Sequence, residues 1–324
     1  MQPLLDVKNL EVKLSKRQGT TTLVDGVSFS VYPSESFGIV GESGCGKSLS
    51  ALSVMRLISY PLNISGGEII FNGQDLMKLP PKQMRTVRGK EISMIFQEPM
   101  TSLDPIFTIE NQLMEILQIH FKNMPRNVML EKIHDVLKKV GIAQVERVIA
   151  SYPHQLSGGM LQRVMIAMAM ICEPKLLIAD EPTTALDVTI QAQILALMND
   201  LKENFSASIV IITHDLGVIA ETCQRVAVLY AGQVVEQASV SDIFNNPMHP
   251  YTRGLLKSVK ALGKREKKLY SISGMVPAMD NIGEGCRFYE RCDHAGEECL
   301  ALQDLYESEP GHICRCIKSK EGRI

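Results

Sequence analysis

The residues from Gly41 to Ser48 are those whose types and spacing in this chain best suit the binding of phosphate groups. They read Gly-Glu-Ser-Gly-Cys-Gly-Lys-Ser and fit the pattern G-x-x-x-x-G-K-S/T. In such a loop the glycines let the backbone curl, so that successive N–H groups point at a phosphate and the next helix adds partial positive charge. Lys47 would reach the β- and γ-phosphates, and the Ser48 hydroxyl would bind Mg2+.

The stretches on either side of this loop have the character that the motif needs. Phe37–Val40 reads as a short buried strand, and Ser48–Met55 reads as a helix. A glycine-rich turn that binds nothing is the alternative, and a full match between a strand and a helix disfavours it. The sequence therefore predicts a nucleotide site. Its candidate nucleotide-binding residues are Gly41, Glu42, Ser43, Gly44, Cys45, Gly46, Lys47, Ser48 and Leu49.

Three further predicted strands end in polar side chains. They are Glu91–Phe96, which is followed by Gln97, Lys175–Glu181, which ends in Asp180 and Glu181, and Ser208–Asp215, which contains His214. Strands alternating with helices predict a parallel sheet, and ligands bind at the carboxyl ends of its strands. Taken singly, each group has an ordinary alternative, since a lone histidine is usually structural and an Asp-Glu pair can cap a helix.

The remaining patterns predict an α/β fold with a mostly parallel central sheet, an antiparallel β edge and a mostly helical insert between about 100 and 160. Leu4–Leu14 alternates as an edge strand would, and Gly263–Lys268 reads as a linker. Other predicted strands are Val27–Val31 and Gly66–Gly73, and the predicted helices include Thr108–Lys122, Val128–Val140, Gly158–Cys172 and Val188–Glu203.

Composition and charge exclude several classes of protein. The chain has 324 residues, of which 45% are hydrophobic and 22% charged, as in ordinary globular proteins. Its formal net charge of -2 argues against nucleic acid as the main partner, because nucleic-acid-binding proteins usually carry a basic surface. No apolar run in the sequence approaches the roughly 18 residues of a membrane span, and the N-terminus lacks the pattern of a signal peptide. We expect a protein of the cytosol or of the cytosolic side of a membrane.

The cysteines are unevenly distributed along the chain. Five of the eight lie beyond residue 285, at Cys286, Cys292, Cys299, Cys314 and Cys316. In a cytosolic protein such a cluster is more often metal-binding than disulfide-bonded. Thiolates suit zinc and iron–sulfur chemistry alike, and the spacing is not the usual paired C-x2-C. The residues alone leave zinc, an iron–sulfur cluster and free thiols open.

Leu156–Arg163 reads Leu-Ser-Gly-Gly-Met-Leu-Gln-Arg and resembles the signature motif of ABC-transporter ATPases, usually Leu-Ser-Gly-Gly-Gln. Other classes of P-loop protein lack this motif. By the same resemblance Gln97 is similar to the family's Q-loop residue, Thr184–Asp187 to its D-loop and His214 to its switch histidine. The motifs keep the family's order from residue 4 to about 240. The resemblance implies an ABC-type P-loop ATPase domain over residues 1–245, with a helical subdomain at about 100–172.

The resemblance implies a role for each polar group at the strand ends. Asp180 would hold the hydration shell of Mg2+, and Glu181 would polarise the attacking water as general base. His214 would contact the γ-phosphate of ATP and couple its presence to closure. Gln97 would touch the metal and the water, and its loop would face the membrane subunits.

The signature residues Ser157, Gly158 and Gly159 would bind the γ-phosphate of an ATP held by the opposite subunit. The expected working unit is therefore a head-to-tail dimer with two ATP molecules between the chains. Two positions depart from the family pattern. Met160 replaces the signature glutamine but leaves the backbone donors, as in many peptide-importer relatives. Leu14 stands where an aromatic ring is expected to stack on adenine, which predicts weak base stacking and loose nucleotide selectivity.

Four further segments resemble importers of dipeptides, oligopeptides and nickel. They are Phe96–Pro105, Glu181–Thr189, Tyr230–Glu236 and His249–Leu256. The resemblance is closest to the D-type ATPase subunits of bacterial dipeptide transporters, and it implies an importer-type C-terminal extension over residues 246–324. In that family the extension carries a 4Fe-4S cluster. The implied ligands are Cys286, Cys292, Cys299 and Cys316, with Cys314 as the substitute for Cys316.

The resemblance also implies partners and a location. The partners would be a second ABC ATPase subunit, expected to be a paralogue, two transmembrane permease subunits and an external solute-binding protein. The chain would lie peripherally on the cytoplasmic side of the cell (inner) membrane and power import of peptides or a related small solute. A soluble ABC ATPase of DNA repair or translation is one alternative, although such proteins usually carry both ATPase halves or long coiled insertions. A regulatory iron–sulfur protein with a vestigial ATPase is another, and the intact catalytic positions speak against it.

Overall fold

A computed structural model describes residues 2–17, 19–97, 102–184, 187–262 and 271–324. Residues 98–101 and 185–186, which belong to the predicted Q-loop and D-loop regions, and the predicted linker Gly263–Lys268 lie outside the described residues. The chain divides into two compact units. The first holds residues 1–32, 36–77 and 212–324, and the second holds residues 33–35 and 78–211.

The secondary structure is mixed α/β. The strands are β1 Leu5–Lys16, β2 Gly19–Val31, β3 Ser36–Val40, β4 Leu62–Phe71, β5 Gln74–Asp75, β6 Ile92–Ile95, β7 Leu176–Asp180, β8 Ser208–Thr213, β9 Arg225–Tyr230, β10 Gln233–Ser239, β11 Tyr306–Glu309 and β12 His312–Cys314. The α-helices are α1 Lys47–Val54, α2 Pro81–Val87, α3 Ile109–His120, α4 Arg126–Lys139, α5 Val145–Ile149, α6 Gly158–Met170, α7 Val188–Phe205, α8 Leu216–Thr222, α9 Val240–Asn245, α10 Pro250–Leu262 and α11 Ile317–Lys320. Short 3-10 turns cover Leu76–Lys78, Pro153–Gln155, Met279–Asn281, Tyr289–Arg291 and Glu297–Leu300.

An antiparallel sheet with the strand order β2-β1-β4-β5 lies in the first unit. Its strand β1 has neighbours on both sides, so the prediction of an edge strand over Leu4–Leu14 is wrong. The alternation that suggested an edge reports which face is buried, not whether a second neighbour is present. A register shift at Asn9, whose φ is 47°, moves the buried positions from Leu5 and Val7 to Leu10 and Val12.

The second sheet of the first unit positions the phosphate loop. Its strands follow the order β11-β12-β10-β9-β3, with β3 and β9 parallel and the pairs β9–β10, β10–β12 and β11–β12 antiparallel. Every residue of β3 is buried, which explains why its sequence reads as a nearly continuous apolar run. Because α1 follows β3 directly, the loop between them lies at the carboxyl end of a parallel strand, where ligands bind in this class of sheet.

In the second unit β8, β7 and β6 are neighbours in that order, and β6 runs parallel to β7 with Ile92 opposite Leu176. The last two residues of β8 count with the first unit. Residues 109–170 hold the four helices α3 to α6. Thr108 caps α3 by accepting a hydrogen bond from the Asn111 N–H at 3.4 Å, as its side-chain type favours. Across the described ranges of both units, no helix combines the length and the apolar character of a membrane span.

Candidate functional site

The loop from Gly41 to Gly46 joins β3 to α1, and two of its glycines have a clear steric reason. A Cβ atom on Gly41 would lie 2.2 Å from the carbonyl oxygen of Leu229 and 2.8 Å from Cys45 Sγ. Gly46 has a φ of 99°, in the left-handed region that favours glycine, and it caps the start of α1. The backbone therefore has the tight turn that the phosphate-binding pattern requires.

Lys47 and Ser48 begin the helix that follows the loop. Lys47 is only 5% exposed, and its Nζ donates to the carbonyl oxygens of Gly41 at 2.8 Å and Glu42 at 3.1 Å. These contacts hold the ammonium group over the loop. Ser48 and its neighbour Leu49 are half-buried. Ser43 and Gly44, at the tip of the loop, are exposed, while Cys45 is buried, and burial raises the pKa of its thiol.

Glu42 is held by two side chains from the C-terminal part of the chain, and no pattern in the sequence indicated this. Its N–H donates to the Tyr251 hydroxyl at 3.0 Å. Its carboxylate accepts from Arg291, whose Nη1 lies 3.1 Å from both oxygens. The phosphate loop therefore contacts residues that are more than two hundred positions away in sequence.

The second unit brings two of the predicted catalytic residues together. The Glu181 carboxylate accepts from Gln97 Nε2 at 3.2 Å and from Thr184 Oγ1 at 2.7 Å, both at Oε2. Asp180 ends β7 and is 5% exposed, and Glu181 follows it with a φ of 47°. A left-handed conformation at a residue other than glycine costs on the order of 1–3 kcal/mol and is concentrated at functional sites. Here it ends the extended strand immediately after Asp180 and sets the direction of the Glu181 side chain.

Gln162 is a residue of this unit that the sequence pattern did not single out. It lies on α6, is 2% exposed, and donates from Nε2 to the Pro182 carbonyl oxygen at 2.5 Å. It thereby ties the helix of the signature motif to the turn after Glu181. A buried amide on an otherwise apolar helix face was the signal that could have found it.

The signature residues lie where α6 begins. Ser157 is the residue before the helix, Gly158 and Gly159 are its first two residues, and Ser157 and Gly158 are exposed. A Cβ atom on Gly158 would meet nothing within 4 Å. The start of a 13-residue helix whose first residues are exposed is suited to bind an anion. Met160 follows, half-buried.

His214 lies in the first unit, directly after β8, and is exposed. The turn that carries it is fixed on its C-terminal side. Asp215 caps α8 by accepting from the Gly217 N–H at 2.7 Å, and its own N–H donates to Thr213 Oγ1 at 3.0 Å. These hydrogen bonds tie the two neighbours of His214 together and fix the backbone of the turn that carries it.

Leu14, the position expected to stack on adenine, is a half-buried residue of β1 opposite Thr21 and Leu62. The same hairpin is contacted by the C-terminal part of the chain. Lys16 Nζ lies 2.5 Å from Asp280 Oδ2, and Thr21 donates from its hydroxyl to the same carboxylate.

Four of the cysteines line a single pocket in the first unit. They are Cys286, Cys292, Cys299 and Cys316. The Cys286 N–H donates to the Cys299 carbonyl oxygen at 2.7 Å, which joins two of the segments that form the pocket. Burial raises the pKa of Cys286 to about 12, and it also raises the pKa values of Cys292 and Cys316.

Cys314 is not among the residues that line this pocket. It is fully buried at the end of β12, opposite Glu236 of β10, and burial is the main cause that raises the pKa of its thiol. The strand ends at Cys314, and Cys316 stands just before α11. Of the two residues that the sequence left open as the last member of the set, Cys316 is the one that lines the pocket.

A separate test concerns single metal ions. Within the described ranges, no three His, Cys, Asp or Glu side chains converge closely enough to hold one ion. This finding supports neither a zinc site nor an iron–sulfur cluster at the four cysteines. The structure shows that four cysteines, two of them buried and two half-buried, line one pocket.

Comparison with known proteins identifies the family. Residues 24–184 match the family model described as ABC transporter, and residues 235–299 match the one described as oligopeptide/dipeptide transporter, C-terminal region. The chain is 52% identical over 321 residues to a probable peptide ABC transporter ATP-binding protein of Sinorhizobium fredii, and the match covers 98% of this chain and 96% of that protein. The chain belongs to the ABC transporter family.

Two more relatives of this ABC transporter protein match over nearly their whole lengths. The oligopeptide transport ATP-binding protein AppD of Bacillus subtilis is 48% identical over 323 residues, covering 99% of this chain and 98% of that protein. The oligopeptide transport ATP-binding protein OppD of Escherichia coli is 46% identical over 318 residues, covering 98% and 94%.

Solved structures agree on the fold of this family member. A dimeric ATP-binding cassette in a post-hydrolysis state with ADP and phosphate aligns with a TM-score of 0.66 at 26% identity, over 73% of this chain and 98% of that one. The protein cbiO1 of Clostridium perfringens, part of an ABC transporter complex, aligns with a TM-score of 0.65 at 25% identity, over 76% and 92%. The chain is therefore an ABC-type ATPase, and its nucleotide is ATP.

Proposed function

We propose that this chain is the ATP-hydrolysing subunit of an ABC importer that takes up dipeptides or oligopeptides. The observation that carries the proposal is the match of residues 235–299 to the C-terminal region of oligopeptide and dipeptide transporters. The relatives with the same full-length match carry names that refer to peptide or oligopeptide transport. A soluble ABC ATPase of DNA repair or translation is not favoured, because none of these features would then be expected.

In the proposed reaction Glu181 is the general base that polarises the water attacking the γ-phosphate of ATP. Its carboxylate is oriented by Gln97 and Thr184, which donate to the same oxygen. A positioned base contributes typically about 10²–10⁴-fold to a rate. His214 contacts the γ-phosphate, and Lys47 neutralises charge on the β- and γ-phosphates.

Mg2+ is the expected metal of this reaction, and it supplies charge neutralisation between the β- and γ-phosphates. The proposed protein groups are the hydroxyl of Ser48, the amide oxygen of Gln97 and the carboxylate of Asp180. Hydroxyl, amide and carboxylate oxygens are the hard ligands that Mg2+ prefers, so the residues fit this ion. We propose that Asp180 acts through the hydration shell, while the other two bind directly.

The signature residues Ser157, Gly158 and Gly159 are proposed to bind the ATP of an opposite subunit. Support comes from the exposed start of α6 and from the open space beside Gly158. The working unit would be a head-to-tail dimer with a second ABC ATPase, expected to be a paralogue. The other partners would be two transmembrane permease subunits and an external solute-binding protein, with this chain peripheral on the cytoplasmic side of the cell membrane. Residues 1–245 would form the ATPase domain and residues 246–324 the importer-type extension.

The cysteine pocket is proposed to hold a 4Fe-4S cluster through Cys286, Cys292, Cys299 and Cys316. Support comes from the four cysteines that line one pocket, because iron–sulfur clusters are held by cysteine thiolates. The simplest role of such a cluster is to stabilise the small C-terminal segment, which has little hydrophobic core of its own.

The proposed function is tested by isolating the chain from native membranes without oxygen and identifying the proteins that accompany it by mass spectrometry. We expect two multi-spanning proteins and a second ABC ATPase, together with the brown colour of an iron–sulfur protein. Ribosomal or DNA-repair proteins without a membrane partner would overturn the importer and favour the soluble alternative.

A further inference from the structure

The contact between Arg291 and Glu42 is an ion pair placed directly on the phosphate loop. Glu42 is the second residue of the loop, and its carboxylate lies at 3.1 Å from Arg291 Nη1 through both oxygens. The Arg291 side chain is 6% exposed, and that of Glu42 is 30% exposed. A guanidinium so far removed from water requires a partner, and a carboxylate beside bound phosphates would repel them unless it were neutralised.

Arg291 is fixed in place by contacts other than the one to Glu42. Its Nε donates to the Ser273 carbonyl oxygen at 2.9 Å, and Nη1 also donates to the Tyr230 hydroxyl at 3.3 Å. The guanidinium lies over the rings of Tyr230 and Phe288, at 5.6 and 5.9 Å from their centroids. These contacts hold the Arg291 side chain in one geometry independently of Glu42. Less side-chain entropy is therefore lost when the ion pair forms.

The backbone of Glu42 is held from the same side. Its N–H donates to the hydroxyl of Tyr251, a fully buried residue of α10. The ring of Tyr251 packs against Tyr230 at 4.7 Å and against Phe288 at 5.4 Å between centroids. One aromatic cluster therefore supports both groups that contact Glu42.

That cluster is continuous with the cysteine pocket. Phe288 lines the pocket together with Cys286 and Cys292, and Arg291 is the last residue of the 3-10 turn before Cys292. The position of Arg291 is consequently set by the short segment between two pocket cysteines.

We infer that Arg291 is a positioning residue for ATP binding, which neutralises and fixes Glu42 in the phosphate loop, and that the cysteine pocket keeps Arg291 in place. The inference rests on the proposed ATPase function and adds a role for the C-terminal segment within it. Loss of Arg291 leaves an unpaired carboxylate beside the phosphates of ATP. We expect ATP affinity to fall on the order of tenfold, within the 5–150-fold that couplings between protein sites span.

The chain offers a matched control in Arg287. Like Arg291, this arginine stands next to a pocket cysteine, since it directly follows Cys286. Its side chain is 10% exposed and forms an ion pair with Asp25, whose side chain is 35% exposed. Asp25 lies on β2, outside the phosphate loop. The Arg287→Gln variant therefore removes an ion pair of the same kind and burial without unmasking a charge in the loop.

The test is calorimetric titration of the full-length chain, purified without oxygen, with ATP and Mg2+. We expect Arg291→Gln to bind ATP about tenfold more weakly. Arg291→Lys should recover part of the affinity because it keeps the charge, and Arg287→Gln should stay within about twofold of wild type. The decisive variant is Glu42→Gln/Arg291→Gln, which removes both charges and should return to within about threefold of wild type. A merely structural arginine would give no such rescue.

A second readout separates binding from chemistry. In the membrane complex, Arg291→Gln should raise KM for ATP on the order of tenfold and leave kcat within about twofold, because Glu181 and Gln97 are unchanged. For Cys292→Ser, the loss of bound iron would be verified by iron analysis. This change should raise KM for ATP in the wild-type background. It should raise KM no further when it is combined with Arg291→Gln. If the two changes instead raised KM by independent factors that multiply, the link between Arg291 and the cysteine pocket would be overturned.

The possible failures are distinguishable. Wild-type chain that neither binds nor hydrolyses ATP would overturn the proposed function itself. Active wild type with an Arg291→Gln variant of unchanged affinity, or with Arg287→Gln weakened to the same degree, would overturn only the role of Arg291.

Discussion

The phosphate loop and the cysteine pocket are both built in the first unit, and they differ in how their residues come together. The phosphate loop is a run of consecutive residues, and its tight turn is made locally by glycines such as Gly46, whose φ is 99°. The four cysteines of the pocket are spread from residue 286 to residue 316, and Cys316 reaches the pocket just after the end of β12, which pairs with β10. A contiguous motif carries its geometry in its spacing, whereas a dispersed site acquires its geometry from the fold.

ATP hydrolysis is expected to depend most on Glu181, which lies in the second unit and belongs to neither of these two regions. Glu181→Gln keeps the shape of the side chain and its hydrogen bonds but removes the base. We expect ATP hydrolysis to fall by about 10²–10⁴-fold with ATP binding and iron content unchanged. Phosphate release from the purified complex measures this, with Glu203→Gln, an exposed change at the end of α7, as the control. A Glu181→Gln variant that hydrolyses ATP like wild type would revive the vestigial-ATPase alternative.

The next largest effect belongs to the pocket. Cys316→Ser removes a thiol that lines the pocket, and Cys314→Ser removes a buried thiol directed elsewhere. We expect Cys316→Ser to lose most of its iron and visible absorbance after anaerobic purification, and Cys314→Ser to keep both. The opposite result would assign Cys314 as the ligand. Zinc rather than iron in the wild-type protein would show that the pocket holds no iron–sulfur cluster.

These two regions also mark how far the sequence predicts the structure. The parallel strands, the helix after the phosphate loop and the encounter of Gln97 with Glu181 follow from local patterns and from the rule that strand ends share an edge. The edge position of β1 was predicted wrongly because alternation does not report a second neighbour. The Arg291–Glu42 pair could not be predicted, since nothing local relates a charge at 291 to one at 42. That Cys316 is the residue that lines the pocket could not be predicted either, because it depends on where β12 ends.

A smaller effect tests the shape of the phosphate loop. Gly41→Ala places a Cβ atom 2.2 Å from a backbone oxygen, which cannot move aside as a side chain could. Overpacking of this kind costs about 1–3 kcal/mol, and if that cost falls on the ATP-binding conformation of the loop we expect ATP affinity to fall by about 5–150-fold. Gly283→Ala is the control, because a Cβ atom there meets nothing within 4 Å. Equal affinities for the two variants would contradict the steric account of the loop.

The smallest expected effect concerns the contact between His312 of β12 and Glu236 of β10. The buried carboxylate of Glu236 accepts from the Met248 and His249 N–H groups and lies 2.8 Å from His312 Nε2. The hydrogen bond to Glu236 raises the pKa of His312 above its ordinary value. The stabilisation is therefore complete below pH 6.5, the unfolded value, and is lost as the pH rises through the raised pKa.

We expect His312→Asn to lower the free energy of unfolding by about 1 kcal/mol more at pH 6 than at pH 9. Urea unfolding at the two pH values measures this, with the exposed His154→Asn as the control. A difference between wild type and His312→Asn that is the same at both pH values would show that the charged form of His312 contributes nothing.

The central claim, an ATPase that powers peptide import, is tested most directly by uptake. Cells that lack this chain would be supplied with wild type or with Glu181→Gln, and accumulation of a radiolabelled peptide series from two to five residues would be followed. We expect wild type to restore accumulation of at least one peptide and Glu181→Gln, present in equal amount, to restore none. Peptide uptake that is unchanged by loss of the chain, across the whole series, would contradict this claim.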